Sequence, residues 1–258
     1  MLDFDEQATR RIEASYRTPD VVEQRRAFLA AVAPRAGEHA LDVGAGTGLL
    51  AHELAAELGP SGSVHAIDPS ESMLAMAARR TPGPGAAPVE FRDGDALALP
   101  FEDSTFDVVV STQVYEYVEE IERALAEAHR VLRPGGRLAV LDTDWGSIVW
   151  HSPDPERMDR VLAVWDEHLA DPWLPRRLSG LMRAAGFVLT RAEAIPLLNT
   201  RFADETYSAN LIGFVERFVA GRGGLGKDDV GAWARDQRTM GEDYFFSLNR
   251  YVFIGSRP

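Results

Sequence analysis

Hydrophobic and polar residues along the chain follow two different periods, one typical of strands and one typical of helices. Apolar runs of five to seven residues, such as HALDV at 39–43 and FDVVVST at 106–112, predict buried strands. Between such runs, apolar residues recur at steps of three and four from Val118 to Leu132, which predicts an amphipathic helix. Strand and helix therefore follow each other in turn from residue 39 to residue 144.

Turn and capping residues mark the ends of these elements. Pro34 ends the first helix, Gly59 and Pro60 end the second, and Ser70 is placed to cap the third. An alternating chain of this kind forms a parallel sheet with helices on both faces. The predicted strands are 39–43, 63–68, 88–96, 106–112 and 137–144, and the predicted helices are 21–33, 49–58, the residues after Ser70, and 118–132.

The order of elements changes after residue 144. Asp154 followed by Pro155 predicts a helix start, because proline is well tolerated at the first helical position. A second helix in this part of the chain ends at Gly186. The remaining predicted elements are a strand at 187–195, helices near 206–219 and 228–239, and a seventh strand at 249–257.

Composition narrows the classes of protein to which the chain can belong. Its 258 residues are 45% hydrophobic and 26% charged, which is typical of a globular protein with a large core. The net charge of -13 leaves no basic excess, so we expect no nucleic-acid partner. There is no cysteine, and no apolar run reaches the ~18 residues of a membrane span. We therefore expect a cytoplasmic protein, and the Ala-, Arg- and Gly-rich usage suggests a bacterial source.

The stretch LDVGAGTGLL at 41–50 joins the first strand to the helix that follows it. Gly44, Gly46 and Gly48 stand at alternate positions, where backbone N–H groups and a helix N-terminus can face an anionic or polar ligand. A dinucleotide-binding turn, G-x-G-x-x-G, would need glycine where the chain has Leu49. The glycines alone fit either a ligand loop or an ordinary tight turn.

Acidic residues at the ends of the next two strands help to decide between a ligand loop and an ordinary tight turn. Asp68 follows the second strand, where a carboxylate beside the glycine loop can accept hydrogen bonds from a ribose diol. Asp95 follows the third strand, where it could meet an adenine amine while the N–H of Ala96 meets the ring. Asp68 could instead cap a helix, and Asp95 could be a solvated loop acid. Features at three successive strand ends favour a nucleoside site.

Five segments of the chain occur in an order that is found in a known family: LDVGAGTG, AIDPSESML, GDALALPF, FDVVVSTQVYEYV and RVLRPGGRLAVLD. They resemble the ordered motifs of class I S-adenosylmethionine-dependent methyltransferases, and they are most similar to the small-molecule branch with the ubiquinone and menaquinone biosynthesis enzymes. The resemblance covers residues 21–144. It implies an α/β fold, Rossmann-like, with a seven-stranded, mostly parallel sheet, an antiparallel last strand and helices on both faces. We expect the remaining helices to form a cap.

The resemblance also implies S-adenosyl-L-methionine as cofactor, with S-adenosyl-L-homocysteine as its product. The three glycines of the loop would face the methionine half, Asp68 would hold the ribose, and Asp95 and Ala96 would hold the adenine. Asp42 would orient the glycine loop or contact the amino group. The rest of the implied set consists of Ser111 and Thr112 beneath the sulfonium, Ala45, Pro69, Met73, Tyr16 as a lid contact, and Arg25 as a carboxylate partner.

Methyl transfer from a sulfonium is an in-line displacement, so a base is needed only where the nucleophile arrives protonated. Glu116 follows the fourth strand, and Asp144 ends the fifth, where it shares a face of the sheet with Asp142. His151 is the histidine candidate, since it lies in the loop after the fifth strand. Glu116 could instead serve a helix N-terminus and Asp144 a turn. His168 is assigned to packing or to the surface, and the histidine spacing predicts no metal site.

These observations predict one methyltransferase domain over 1–258. It would comprise an N-terminal helical lid (1–35), a cofactor-binding core (36–145), and substrate-side helices with strands six and seven (146–258). Aromatic residues in 206–219 and 243–247 favour an apolar cap, hence a small, mostly apolar or aromatic acceptor methylated at oxygen, carbon or nitrogen.

Two other functions stay open on the sequence. One is an enzyme with the same cofactor that catalyses a cyclisation or rearrangement, and the other is a non-catalytic partner subunit. An NAD-dependent oxidoreductase comes last, because Leu49 breaks the dinucleotide pattern. The chain would act as a monomer or a homodimer.

Overall fold

A central sheet organises the part of the chain that the structure, a computed structural model, describes, which is residues 6–258. The predicted lid, 1–35, therefore begins in residues that lie outside the described ones. Within 6–258 the strands are β1 (His39–Val43), β2 (Ser63–Ile67), β3 (Val89–Arg92), β4 (Phe106–Thr112), β5 (Leu132–Trp150), β6 (Val188–Asn199) and β7 (Phe246–Ser256). The helices are α1 (Glu6–Tyr16), α2 (Pro19–Val32), α3 (Leu49–Leu58), α4 (Glu71–Ala77), α5 (Ile121–Val131), α6 (Pro155–Trp165), α7 (Pro175–Ala184), α8 (Tyr207–Val219) and α9 (Lys227–Thr239).

The strands lie in the order β3-β2-β1-β4-β5-β7-β6. Neighbouring strands among β1 to β5 are parallel, whereas β7 runs antiparallel to both β5 and β6. The predicted α/β fold with an antiparallel last strand is therefore confirmed. Because the carboxyl ends of parallel strands meet at one edge, the loops after β1, β2, β3, β4 and β5 lie together there.

Alternating side chains of the strands supply the sheet with two separate cores. On β4, Val108 and Val110 pack on the side that α2 and α3 cover, together with Leu54. Val109 packs on the opposite side, with Leu125 of α5 and the buried residues of α7. Helices cover both faces of the sheet at β4, which explains why the sequence of β4 is a continuous apolar run.

A third core packs α6, α8 and α9 against the last part of β5, the end of β6 and the start of β7. Trp233 of α9 is fully buried there, and Trp150 at the end of β5 meets it edge-on, with ring centroids 5.5 Å apart. These helices form the predicted helical cap over the second half of the sheet. None of the helices in residues 6–258 is both long enough and apolar enough to cross a membrane.

Several element boundaries agree with the sequence pattern, and others differ for identifiable reasons. β1 and α3 have the predicted bounds, and Ser70 caps α4 by accepting a hydrogen bond from the N–H of Met73 at 3.4 Å. β3 is shorter than predicted, because pairing with β2 stops at Arg92. α1 lies within the predicted helical lid, but its bounds were not predicted: its buried side chains are Thr9 and Ser15, so no apolar stripe marks it.

Candidate active site

The glycine loop between β1 and α3 adopts a backbone that glycine accommodates best. The φ angles of Gly44, Gly46 and Gly48 are +74°, +53° and +77°, all in the left-handed region. A Cβ atom on Gly44 would stand 2.2 Å from Val114 Cγ2, whereas a Cβ on Gly46 would meet nothing within 4 Å among the described residues. The first glycine therefore lets the loop pack on the protein, and the second leaves open space for a ligand.

Asp68 connects this loop to the start of α4. Its two carboxylate oxygens accept hydrogen bonds from the N–H groups of Gly46, at 2.8 Å, and Ser70, at 2.9 Å. Burial raises the pKa of Asp68, and the same two N–H groups oppose that shift. Each oxygen keeps a second lone pair, so the carboxylate can still accept hydrogen bonds from a diol.

Asp42 is a buried carboxyl behind the glycine loop. It is 1% exposed, and neither oxygen has a hydrogen-bond partner among residues 6–258. Burial, with a smaller contribution from the charge of Asp68, raises the pKa of Asp42 to about 8. Buried polar groups are normally paired, so this carboxyl is suited to a ligand or loop group that carries a donor.

A cavity of about 540 Å³ extends from this loop along the edge of the sheet. At one end it is lined by Asp68, Met73 and the loop after β3. At the other end the walls are aromatic and include Trp165 and Phe214 of the cap. Its volume is in the range of small-molecule sites, and its two ends differ in chemistry.

The structure brings most of the predicted cofactor residues to this cavity. Arg25 lines it, but its guanidinium already pairs with Glu53 at 3.0 Å and donates to the carbonyl of Tyr16. Asp42, Gly48 and Ser111 are not part of the lining. The predicted residues that line the cavity are Tyr16, Arg25, Gly44, Ala45, Gly46, Asp68, Pro69, Met73, Asp95, Ala96 and Thr112.

Glu116 is the predicted catalytic candidate that lines the cavity. It lies in a 3-10 turn (Tyr115–Tyr117) after β4, is 1% exposed, and accepts a hydrogen bond from the N–H of Thr143 at 2.9 Å. Burial raises its pKa, opposed by the Thr143 N–H and the charge of Arg250. A carboxyl with a raised pKa can bind a proton near neutral pH.

Asp142 is a second buried carboxyl close to Glu116. One oxygen accepts from the N–H of Val114 at 3.0 Å, and the other has no partner within the described chain. Burial raises the pKa of Asp142 well above its usual range, and the charge of Glu116 adds to this. Simultaneous ionisation of the two carboxyls is therefore disfavoured.

The other two catalytic candidates lie outside the cavity. Asp144 accepts from the N–H of Gly146 at 3.1 Å and from Nε of Arg176 at 2.9 Å, so both oxygens are engaged. Its pairing side chain comes from α7, on the face of the sheet opposite α3. His151 lines a separate pocket of about 420 Å³ beside Trp150 and Phe245.

Two buried residues, one in the cavity wall and one next to it, were not singled out from the sequence. His168, assigned to packing or to the surface, lines the cavity and is 2% exposed. Arg250 of β7 is 1% exposed, and its guanidinium lies 4.6 Å from the ring centroid of Tyr207. The sequence does contain a sign that Arg250 is buried. Arg250 stands two residues from the apolar Leu248 and from Val252, so in a strand the three side chains share one face.

A family model and several curated proteins are similar to this chain in sequence. A family model described as "Methyltransferase domain" matches residues 41–140. The demethylmenaquinone methyltransferase of Symbiobacterium thermophilum is 42% identical over 196 residues, which cover 67% of this chain and 77% of that protein. For several other curated relatives the match spans about half of their length, from 44% to 49%.

Solved structures are similar over almost the whole chain. Phosphoethanolamine N-methyltransferase 2 of Haemonchus contortus, in complex with S-adenosyl-L-methionine, has a TM-score of 0.63 and 20% identity, with 99% of this chain and 58% of that chain covered. The 4+2 cyclase SpnF has a TM-score of 0.60 and 23% identity, covering 92% of this chain and 81% of that one. At these identities the likeness shows the fold.

Proposed function

Because this chain belongs to the class I S-adenosylmethionine-dependent methyltransferases, we propose that it transfers a methyl group from that cofactor to a small aromatic acceptor. The observation that supports this most is the cavity with two unlike ends, one polar and built on strand ends, the other aromatic. Such a cavity can hold a charged donor and an apolar acceptor side by side. The acceptor atom is oxygen, carbon or nitrogen.

The residues at the polar end fit S-adenosylmethionine. Asp68 would accept from the ribose hydroxyls, and the open face of Gly46 would admit the methionine half. Asp42, which is buried and without a partner among the described residues, would orient the loop or receive the amino group. Asp95 and Ala96 would hold the adenine, and Ser111 with Thr112 would support the sulfonium from beneath. When bound, the cofactor supplies a methyl group activated by the positive charge on sulfur.

The aromatic end would align the acceptor and keep water away from the reacting atoms. Trp145, Trp165 and Phe214 line it, and Tyr16 of α1 also lines the cavity. A planar ring suits such walls, in keeping with the quinone named in the description of the Symbiobacterium relative.

Glu116 would orient the acceptor or take its proton, since it is the candidate base inside the cavity. Asp144 and His151 stay predictions. For Asp144 to act on an acceptor, its pair with Arg176 would have to open. For His151 to act, the acceptor would have to extend into the neighbouring pocket.

Titration with S-adenosylhomocysteine in a calorimeter tests the cofactor end. The Asp68→Ala variant should bind about 100-fold more weakly, because it loses hydrogen bonds to a charged group worth roughly 1.5–3 kcal/mol each. Asp93→Asn is the matched control, since Asp93 is exposed directly after β3, the strand beside β2, and does not line the cavity. Unchanged affinity in Asp68→Ala would refute the assignment.

A labelled-methyl assay with a panel of aromatic alcohols, amines and hydroquinones tests the reaction itself. Transfer of label to any member supports methylation. Tight cofactor binding without transfer across the panel would favour cyclisation or rearrangement, and absence of cofactor binding would favour a non-catalytic subunit.

A further inference from the structure

His168 is a buried polar residue to which the roles above assign no chemistry. It ends the 3-10 turn (Asp166–His168) that follows α6 and lines the aromatic end of the cavity. Its ring stacks on Trp165 with centroids 3.8 Å apart and meets Trp145 edge-on at 5.4 Å. Rings on two sides therefore fix the plane of the imidazole.

The hydrogen bonding of this imidazole assigns its tautomer. Nδ1 is hydrogen-bonded to the carbonyl oxygen of Trp165, and because a carbonyl only accepts, Nδ1 carries the proton. Nε2 is then an acceptor, and it is buried without a partner within residues 6–258. Burial lowers the pKa of His168 to about 4, which keeps the ring neutral and Nε2 free to accept.

Backbone hydrogen bonds tie the segment of His168 to that of Glu116. The N–H groups of Ala170 and Asp171 both donate to the carbonyl oxygen of Glu116, at 3.0 Å each. The ring of Tyr117, the next residue, lies edge-on to His168 with centroids 5.9 Å apart. A neutral acceptor nitrogen and a buried carboxyl are thus held against the same aromatic space.

We propose that Nε2 of His168 accepts the hydrogen bond, and then the proton, of a phenolic hydroxyl on a planar acceptor; this rests on the methyl transfer proposed above. A hydroxyl donor satisfies the free nitrogen, and a flat ring fits between aromatic walls. An ammonium would need a charged carboxylate instead, and burial disfavours the charged form of both Glu116 and Asp142.

The proposed step balances. The phenolic oxygen forms the new bond to the methyl carbon while the carbon–sulfur bond breaks and its electron pair stays on sulfur. The O–H electron pair stays on oxygen, and the proton moves to Nε2. From the resulting imidazolium, the proton passes to solvent, which restores the neutral ring.

Binding of 2-naphthol and 2-methoxynaphthalene, measured by calorimetry with saturating S-adenosylhomocysteine, tests the recognition. The wild type should prefer the hydroxyl compound by about ten-fold, because the ether leaves Nε2 buried and unpaired. His168→Asn can keep a donor toward the Trp165 carbonyl but places no acceptor at Nε2, so it should lose the preference. His168→Gln can present an amide oxygen there and should keep most of it. His129→Gln, on α5 against Phe187, is the matched control and should behave as wild type.

Labelled-methyl transfer to 2-naphthol tests the proton step. His168→Gln should lower kcat at least ten-fold with little change in KM, because an amide oxygen accepts a hydrogen bond but is not a base. Equal binding of the two probes by wild type, a preference that survives in His168→Asn, or no loss of kcat in His168→Gln overturns the proposal. Absence of transfer in wild type overturns the base role too. Each protein is also titrated with S-adenosylhomocysteine. If the wild type binds S-adenosylhomocysteine, the proposed methyl transfer is not refuted by failure of the His168 proposal. If the wild type does not bind it, the proposed function itself is refuted.

Discussion

The two ends of the cavity are built in opposite ways. At the cofactor end, backbone groups and short side chains at successive strand ends hold each other, as Asp68 does with Gly46 and Ser70. At the acceptor end, side chains converge from α1, β5, α6 and α8, which contribute Tyr16, Trp145, Trp165 and Phe214 from distant parts of the chain. The difference teaches that local sequence specifies the first end and long-range packing specifies the second.

The largest effect that tests this comparison should come from Gly44→Ala. The φ of Gly44 is +74°, and a new Cβ would stand 2.2 Å from Val114, so the variant combines backbone strain with overpacking. We expect a loss of about 3 kcal/mol in the free energy of unfolding, since left-handed backbone costs roughly 1–2 kcal/mol and overpacking roughly 1–3 kcal/mol. Urea denaturation at constant m-value measures it.

Two other glycines separate strain from contact and from binding. Gly85→Ala has nearly the same φ, +76°, with no described atom within 4 Å, so it should show the strain alone. Gly46→Ala should be about as stable as Gly85→Ala yet bind S-adenosylhomocysteine at least ten-fold more weakly, because its Cβ enters the open space of the loop. Full affinity in Gly46→Ala would show that this glycine does not admit the ligand.

Asp42 should give the next largest effect, as a dependence of stability on pH. Its pKa is raised in the folded state to about 8, so the folded chain binds more protons than the unfolded chain between the ordinary aspartate pKa and that value. Stability contributed by the protonated form is therefore lost as the pH rises through this window. Asp42→Asn should remove about 2 kcal/mol of this decline between pH 6 and pH 8.

Urea denaturation of the cofactor-free protein at both pH values measures the effect. The same pH slope in wild type and Asp42→Asn would mean that the carboxyl has an ordinary pKa and hence a donor that the structure does not show.

Glu13 should have a smaller effect, on the rate at which the cofactor leaves. This α1 residue accepts from the hydroxyl of Thr47 in the glycine loop and from Arg80, whose Nε donates to the Thr47 carbonyl at 2.7 Å. Glu13→Gln should release S-adenosylhomocysteine roughly ten-fold faster, because it loses charge-assisted hydrogen bonds that join α1 to the glycine loop and Arg80. Stopped-flow displacement measures the rate.

The matched control on α1 is Glu6→Gln. Glu6 is exposed on the same helix and, within residues 6–258, pairs with Arg10 one helical turn away at 2.8 Å, so Glu6→Gln should leave the rate unchanged. Burial raises the pKa of Glu13, but hydrogen bonds from Thr47, Arg80 and Arg17 together lower it below its ordinary value. The hydrogen bonds of the Glu13 carboxylate are therefore present at any pH above the ordinary glutamate pKa, and they are lost only as the pH falls below that value. Equal release rates for both variants would show that the hydrogen bonds of Glu13 do not slow the release of the cofactor.

The same comparison explains how much the sequence could predict. The sheet and the strand-end residues followed from periodicity and spacing, because β1, α3 and the Ser70 cap depend on neighbours within a few residues. His168 and Arg250 could not be assigned a role in this way. Arg250 is placed by antiparallel pairing with Thr143, more than 100 residues away, and His168 by the hydrogen bonds of the loop after it to Glu116. No local period encodes such contacts.

Asp144 provides the smallest effect and the sharpest contrast with Glu116. Its carboxylate pairs with Arg176, whose side chain is 54% exposed, so solvent screens the pair and its loss should matter little. If the pair is the main role of Asp144, Asp144→Asn and Arg176→Gln should change kcat/KM by the same factor, about two-fold or less. A loss in Asp144→Asn that exceeds the loss in Arg176→Gln by ten-fold or more would instead show that the carboxylate acts on the acceptor. The assay is labelled-methyl transfer with the best acceptor of the panel, and because both variants alter one ion pair, its structural contribution cancels in the ratio.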